Sequence, residues 1–270
     1  MTHVFQFSGG KDSTAMLLWA IDNGFDFQNP TAEKPSVAVM CDTSWEHPLT
    51  YAYVQYINET VLGGQLVTLH SEGMEALVAR KGRVPSTHAR FCTSELKVQP
   101  FMDWMRTQVG DCVVYQGIRG AESASRSRMG RRVWSEDFDC WIERPLFAWP
   151  AEEVFEMHEK HGIQPNPLYL KGAARVGCFP CIMVNKSELR RLTSTLPDVW
   201  DRAETLERIA GRSFFKPDYI PARFHHGWDE KSGVSFPTLA DVKFYVTRPD
   251  QPELWDDEPT RCLSVYNLCE

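Results

Sequence analysis

At 270 residues and 43% hydrophobic composition the chain can bury a full core, either as one large domain or as one domain with a substantial appendage. A net charge of −7 excludes generic polyanion binding, so any nucleic-acid contact has to be local. No stretch reaches transmembrane length and the start shows no leader pattern. A cytoplasmic location with no membrane contact is therefore expected, where eight cysteines read as thiols, metal ligands or redox groups rather than as a disulfide frame.

The first predicted elements are an apolar strand over residues 4–7 and a helix over 14–21, joined by Ser8-Gly9-Gly10-Lys11-Asp12-Ser13. A strand that passes through a glycine turn into a helix brings several backbone N–H groups and the positive end of the helix dipole to one point, which suits a phosphate. The two glycines let the backbone approach an anion, Lys11 adds a mobile cation, and Ser8 and Ser13 add hydroxyl donors. A Walker A loop has four residues between its first glycine and its Gly-Lys pair, so this is a different cradle. A ligand-free turn is the bland alternative.

Asn23-Gly24 ends the helix, and a strand over 36–41 leads into Asp42-Thr43-Ser44-Trp45-Glu46-His47-Pro48. A helix over 49–62, a strand over 65–69 and a short helix over 72–80 follow. This alternation indicates an α/β fold with a doubly wound, mostly parallel sheet and ligands at the strands' carboxyl ends. The glycine turn and Asp42-Thr43 both fall on that edge. Asp42 could hold ribose hydroxyls or magnesium, or serve only as an acid favoured at a helix start; His47 reads as a turn residue.

Residues 80–97 read as a basic loop without apolar periodicity, and 112–119 as a fourth strand entering a second loop. Five arginines between Arg119 and Arg132 make a cationic lid suited to phosphate or sulfate. Arg128, Arg131 and Arg132 could equally be a solvated face or a local nucleic-acid patch. The last core strand is expected at 140–146, a helix at 151–161, and further helices at 187–196 and 198–210, capped by Ser187 and Asp198. Cys41, Cys112 and Cys140 fit small core hydrophobes. Cys178-Phe179-Pro180-Cys181 can place two sulfurs on one metal, and alone is ambiguous among zinc, a redox dithiol and an iron–sulfur cluster. The aromatic, charged stretch 214–255 is expected to shape an acceptor pocket.

Residues 8–13 resemble the SGGxDS signature of PP-loop ATP pyrophosphatases, the adenine nucleotide alpha hydrolase-like superfamily. Residues 42–51 resemble the DTGxEHPxTY segment of the PAPS reductase family within that group, with Ser44 where glycine is usual. Arg90, Cys92, Thr93, Lys97 and Pro100 are similar to its R-x-C-T-x-x-x-K-x-x-P segment, Gly117 to Arg126 to its GxRxxESxxR signature, and 145–181 to its run ending in GCxxC.

The resemblance implies a nucleotide-binding PP-loop domain over residues 1–175 and a helical or irregular, cysteine-containing extension over 176–270. It implies nucleotide contacts from Ser8, Gly9, Gly10, Lys11, Asp12, Ser13, Asp42, Thr43, Lys97, Gly117, Arg119, Glu122, Ser123 and Arg126, with Lys11, Asp12, Arg119 and Cys269 as the catalytic set. Similarity to cluster-bearing members implies a [4Fe–4S] cluster on Cys92, Cys178, Cys181 and Cys262, with Cys269 the alternative fourth ligand and zinc the alternative metal. The implied activity is Mg2+-dependent cleavage of ATP between the α- and β-phosphates, adenylation of an acceptor and sulfur transfer. That pattern resembles the sulfurtransferases of DNA phosphorothioation and the cluster-dependent tRNA thiolases, with a cysteine desulfurase as sulfur donor. A PAPS or APS reductase is the second reading, in which Cys269 attacks the sulfate sulfur and a thioredoxin-like partner resolves the product. Such reductases usually lack the Lys-Asp pair present here. A nucleotide- or redox-sensing module that binds nucleic acid is the third.

Overall fold

The computed structural model, which describes residues 1–108 and 110–249, opens with β1 (Thr2–Gln6), the glycine turn and α1 (Lys11–Asp22). β2 (Ser36–Asp42), α2 (Pro48–Thr60), β3 (Val67–His70) and α3 (Met74–Lys81) continue the alternation. The stretch expected to be a basic loop is helical in its second half. α4 (Phe91–Thr93), a π-helical segment (Ser94–Val98) and α5 (Gln99–Met105) run on without a break. The helix is anchored by Phe91, Leu96, Phe101 and Met105, which are buried, whereas the cationic residues that mask its periodicity lie mostly in the preceding loop.

β4 (Cys112–Gln116), β5 (Arg132–Ser135), β6 (Cys140–Glu143) and α6 (Ala151–Lys160) complete a six-stranded sheet of order β3-β2-β1-β4-β6-β5. Every neighbouring pair is parallel except β5 with β6, an antiparallel edge absent from the sequence-based expectation. β1 lies between β2 and β4, so connections leave it in opposite directions and open a crevice at its carboxyl end. The glycine turn and Gly117 face each other there.

Side chains alternate across β1 as a pleated strand requires. Phe5 packs with α1, α2 and Val154 of α6 on one face, and Val4 with Phe101 and Met105 of α5 on the other. A third core joins α3 to α7 (Lys186–Thr195), α8 (Asp198–Ala210) and α9 (Leu239–Thr247) through residues such as Leu77, Leu189, Trp200 and Val242. β7 (Gly227–Asp229) and β8 (Val234–Phe236) form a separate hairpin. The expected caps differ by position. Asn185 caps α7 by accepting from the Glu188 N–H at 2.7 Å, while Ser187 sits inside the first turn and accepts from Arg191. Pro197 precedes α8 without a side-chain cap, and Asp198 instead lies 3.5 Å from His47. Among the described residues no helix is long and apolar enough to cross a membrane.

Candidate functional site

The glycine turn is held from three directions. Gly9 adopts φ +78°, and a Cβ there would come within 3.0 Å of Val54, so both the backbone sign and the space favour glycine. The Asn166 amide donates to the Gly9 carbonyl at 3.1 Å, and the His158 ring meets the Lys11 carbonyl at 2.9 Å. The Lys11 N–H donates to the Tyr169 hydroxyl at 3.0 Å. Ser13 Oγ donates to the Gly10 carbonyl and meets Ser8 Oγ, both at 3.0 Å. The cradle is preorganised by the far half of the chain.

Asp12 is fully buried and carries two cations: Lys11 Nζ at 2.7 Å on one carboxylate oxygen and Arg119 Nε at 2.5 Å on the other. The carboxylate therefore aims Lys11 and Arg119 rather than standing open to a ligand. Both cations line a cleft with Glu122, Ser123, Arg126 and Arg175. Glu122 ties this wall together, accepting from the Arg119 N–H at 3.2 Å and from the Arg126 guanidinium. Four cations against the two carboxylates of Asp12 and Glu122, beside a helix N-terminus, leave a net positive cleft that favours an anion. Gly117 makes the approach of β4 to α1 feasible, because a Cβ there would lie 2.9 Å from both the Asp12 carbonyl oxygen and Ser13 Cα.

A smaller cavity beneath the cradle is lined by Ser8, Ser13, Glu46, Lys97, Gly117 and Gly177. Lys97 and Gly177 also line a neighbouring cavity that receives Cys92, Cys178 and Cys181. The three sequence-predicted thiols thus face one space, adjoining the nucleotide side through the buried Lys97. Burial pushes the Cys178 thiol up to about 12 and raises Cys92 as well, so in the bare pocket both favour the thiol form. The Cys178 turn is pinned from α8: Arg202 Nε donates to the Phe179 carbonyl at 2.6 Å, its Nη2 to the Trp45 carbonyl at 3.1 Å, and its guanidinium stacks on the Trp45 ring. Among the described residues no three Cys, His, Asp or Glu side chains are grouped as ligands of a single metal ion. Cys262 and Cys269 lie outside the described residues.

Residues 2–184 match the phosphoadenosine phosphosulfate reductase domain, a span containing the cradle, the arginine cleft and all three thiols. The chain belongs to that family. A 37.8 kDa protein of Escherichia phage 186 is 30% identical over 99% of this chain and 96% of its own length. An adenosine 5′-phosphosulfate reductase of Streptomyces coelicolor is 29% identical over 53% of this chain, which spans 60% of that enzyme; a Methanocaldococcus jannaschii relative is 27% identical, and the chain spans 40% of it. The phosphate complex of the phosphoadenylyl-sulfate reductase from Candida auris superposes with a TM-score of 0.49 at 18% identity, over 66% of this chain and 82% of that one.

Within this PAPS reductase-family chain, Ser44 takes φ +54° and its N–H donates to Asp42 at 2.8 Å. The turn that glycine usually makes is kept, at the cost of a serine in left-handed backbone. Asp42 also accepts from the Tyr51 hydroxyl at 2.8 Å and faces His70, while Thr43 is buried and donates to Glu46 at 2.7 Å. Neither Asp42 nor Thr43 lines the three cavities described above. Sequence reasoning missed Glu46, Arg175, Asn166, Tyr169 and His158 as site residues. All but Glu46 stood inside the longest family-like run, 145–181, but nothing local in that run says that it folds back onto the glycine turn.

Proposed function

We propose that this PAPS reductase-family protein binds Mg-ATP with its phosphates across the cradle and the arginine cleft, breaks the α–β phosphate bond to adenylate an acceptor, and releases pyrophosphate. The observation that carries this reading is the pair Lys11 and Arg119, both braced on the buried Asp12 at the N-terminus of α1. Negative charge grows on pyrophosphate as it leaves, and fixed cations with aligned N–H donors stabilise that charge most when they need no rearrangement. Arg126 and Arg175 extend the same field along the cleft. Both Asp12 oxygens are occupied by cations, so Mg2+ would be held largely through phosphate oxygens, where it would offset further charge.

The thiol cavity supports a sulfur-handling role for the same enzyme. A zinc site needs sulfurs about 2.3 Å from one ion, whereas a [4Fe–4S] cluster spreads its ligands over a larger body. Cys92, Cys178 and Cys181 share one cavity, where soft thiolates suit either group, and the likeness to cluster-bearing family members favours the cluster. Cys262 or Cys269 would supply the fourth ligand. When bound, the cluster would offer an iron site for sulfur beside the activated acceptor. The reductase reading is favoured by the name of the Streptomyces relative and would make Cys269 the nucleophile that takes the sulfo group from the nucleotide, a thioredoxin-like dithiol then freeing sulfite.

Lys11→Ala tests the cradle directly. Loss of one charge-assisted contact of about 1.5–3 kcal/mol corresponds to roughly ten- to hundredfold weaker Mg-ATP binding, and the denaturation midpoint should fall because Asp12 stays buried with Arg119 as its counter-charge. Unchanged affinity in a folded variant would contradict the assignment.

A further inference from the structure

Cys112 and Cys140 begin two adjacent parallel strands. The register of β4 with β6 pairs Val113 with Trp141, so the residues one step earlier, Cys112 and Cys140, stand opposite each other. Neighbouring strands lie about 4.8 Å apart, inside the roughly 4.4–6.8 Å range of Cα separations that a disulfide bridges. Both side chains pack into the same apolar layer on one face of the sheet. Cys140 is buried against the α5 face of the sheet, while Cys112 is half-buried at the strand's solvent end.

The segment between the two cysteines contains Gly117, Arg119, Glu122, Ser123 and Arg126, which build the anion-binding side of the site. We propose that Cys112 and Cys140 are a reversible disulfide site that closes this segment into a covalent loop at the opposite end of the strands from the anion cleft. The proposal does not depend on which nucleotide the protein uses.

The oxidant is an external organic disulfide. The Cys112 thiol loses its proton, and its sulfur attacks one sulfur of that disulfide, forming a mixed disulfide and expelling one thiolate. The deprotonated Cys140 sulfur then attacks Cys112 Sγ, forming the internal bond and expelling the second thiolate. Two protein thiols are oxidised to one disulfide, and one external disulfide is reduced to two thiols. Burial and the neighbouring carboxylates Asp111 and Asp139 oppose thiolate formation at the pair, so the exchange is slow near neutrality and faster as pH rises.

The test uses the full reduced chain incubated with 2-hydroxyethyl disulfide, an uncharged reagent, at pH 8.5, followed by alkylation of remaining thiols and peptide mapping without reductant. The expected product is one linked peptide pair joining Cys112 to Cys140. Recovery of both as separately alkylated peptides, or as a lasting mixed disulfide on Cys112, would overturn the proposal. A second readout is brief trypsin cleavage at the exposed Arg128, Arg131 or Arg132. On a denaturing gel the nicked oxidised protein should run as one piece until reduced, and nicked Cys112→Ser should separate without reductant. Equal retention in Cys112→Ser would assign the link to other cysteines and overturn the proposal.

Discussion

Gly117 sits where β4 passes the first turn of α1, and the atoms that a methyl group would strike there are backbone atoms of Asp12 and Ser13. Backbone cannot rotate aside as a side chain can. Gly117→Ala should therefore cost about 1–3 kcal/mol, the usual range for overpacking, and shift the Asp12–Arg119 contact that aims the cleft. A urea midpoint measured beside Mg-ATP affinity should show both falling together; an alanine that changes neither would mean the loop can yield. The glycine was legible because it ends a strand in a family-like signature. Its physical reason was not legible, since the clash is with residues more than a hundred positions earlier. Asp12 shows the same limit: its place in the hexapeptide marked it as a site residue, but its work as the counter-charge to Lys11 and Arg119 depends on β1 and β4 being neighbours.

At the scale of elements, α8 lines the thiol cavity with Leu206 and braces its wall with Arg202. Arg202 holds the carbonyls of Phe179 and Trp45, and the Phe179 N–H donates to Trp45 at 2.8 Å, so the Cys178 turn and the β2–α2 loop are fixed as a unit. Arg202→Ala should keep the fold but loosen that turn. With the proposed cluster on these thiols, iron per chain after anaerobic purification should drop at least about twofold, because outer contacts of metal ligands commonly change affinity tenfold or more; iron content equal to that of the parent would contradict this positioning role. Helix α6 acts similarly on the other side, through His158 against the Lys11 carbonyl. Burial holds the His158 imidazole below its ordinary value. A depressed histidine stabilises the fold fully above about pH 6.5, and the contribution is lost as pH falls through the folded-state value. His3 and His47 are shifted in the same direction by burial. The urea midpoint should therefore decline between pH 7 and pH 5, and less steeply in His158→Gln; an identical decline in that variant would remove His158 from the pH response. The strand and helix alternation that fixes these elements was visible in the sequence, whereas the helix from Phe91 was hidden behind its basic approach and the antiparallel edge β5 behind a short, mixed pattern.

Across the whole molecule, three cavities meet around the crevice beside β1: an arginine cleft, a pocket under the cradle and a thiol cavity, with Arg175 shared by the first and third and Lys97 by the second and third. Contiguous motifs located most of their residues, because the cradle, the arginine signature and the Cys-x-x-Cys turn each fit in a short run. The convergence of those runs comes from sheet order, which a single sequence does not contain. The central claim is that the intact cradle serves a nucleotide that leaves pyrophosphate behind. A paired titration of Mg-ATP and PAPS against the anaerobically purified 270-residue chain tests it most directly. Mg-ATP is expected to bind at least about tenfold more tightly, a difference of roughly 1.4 kcal/mol, and preference for PAPS would contradict the claim.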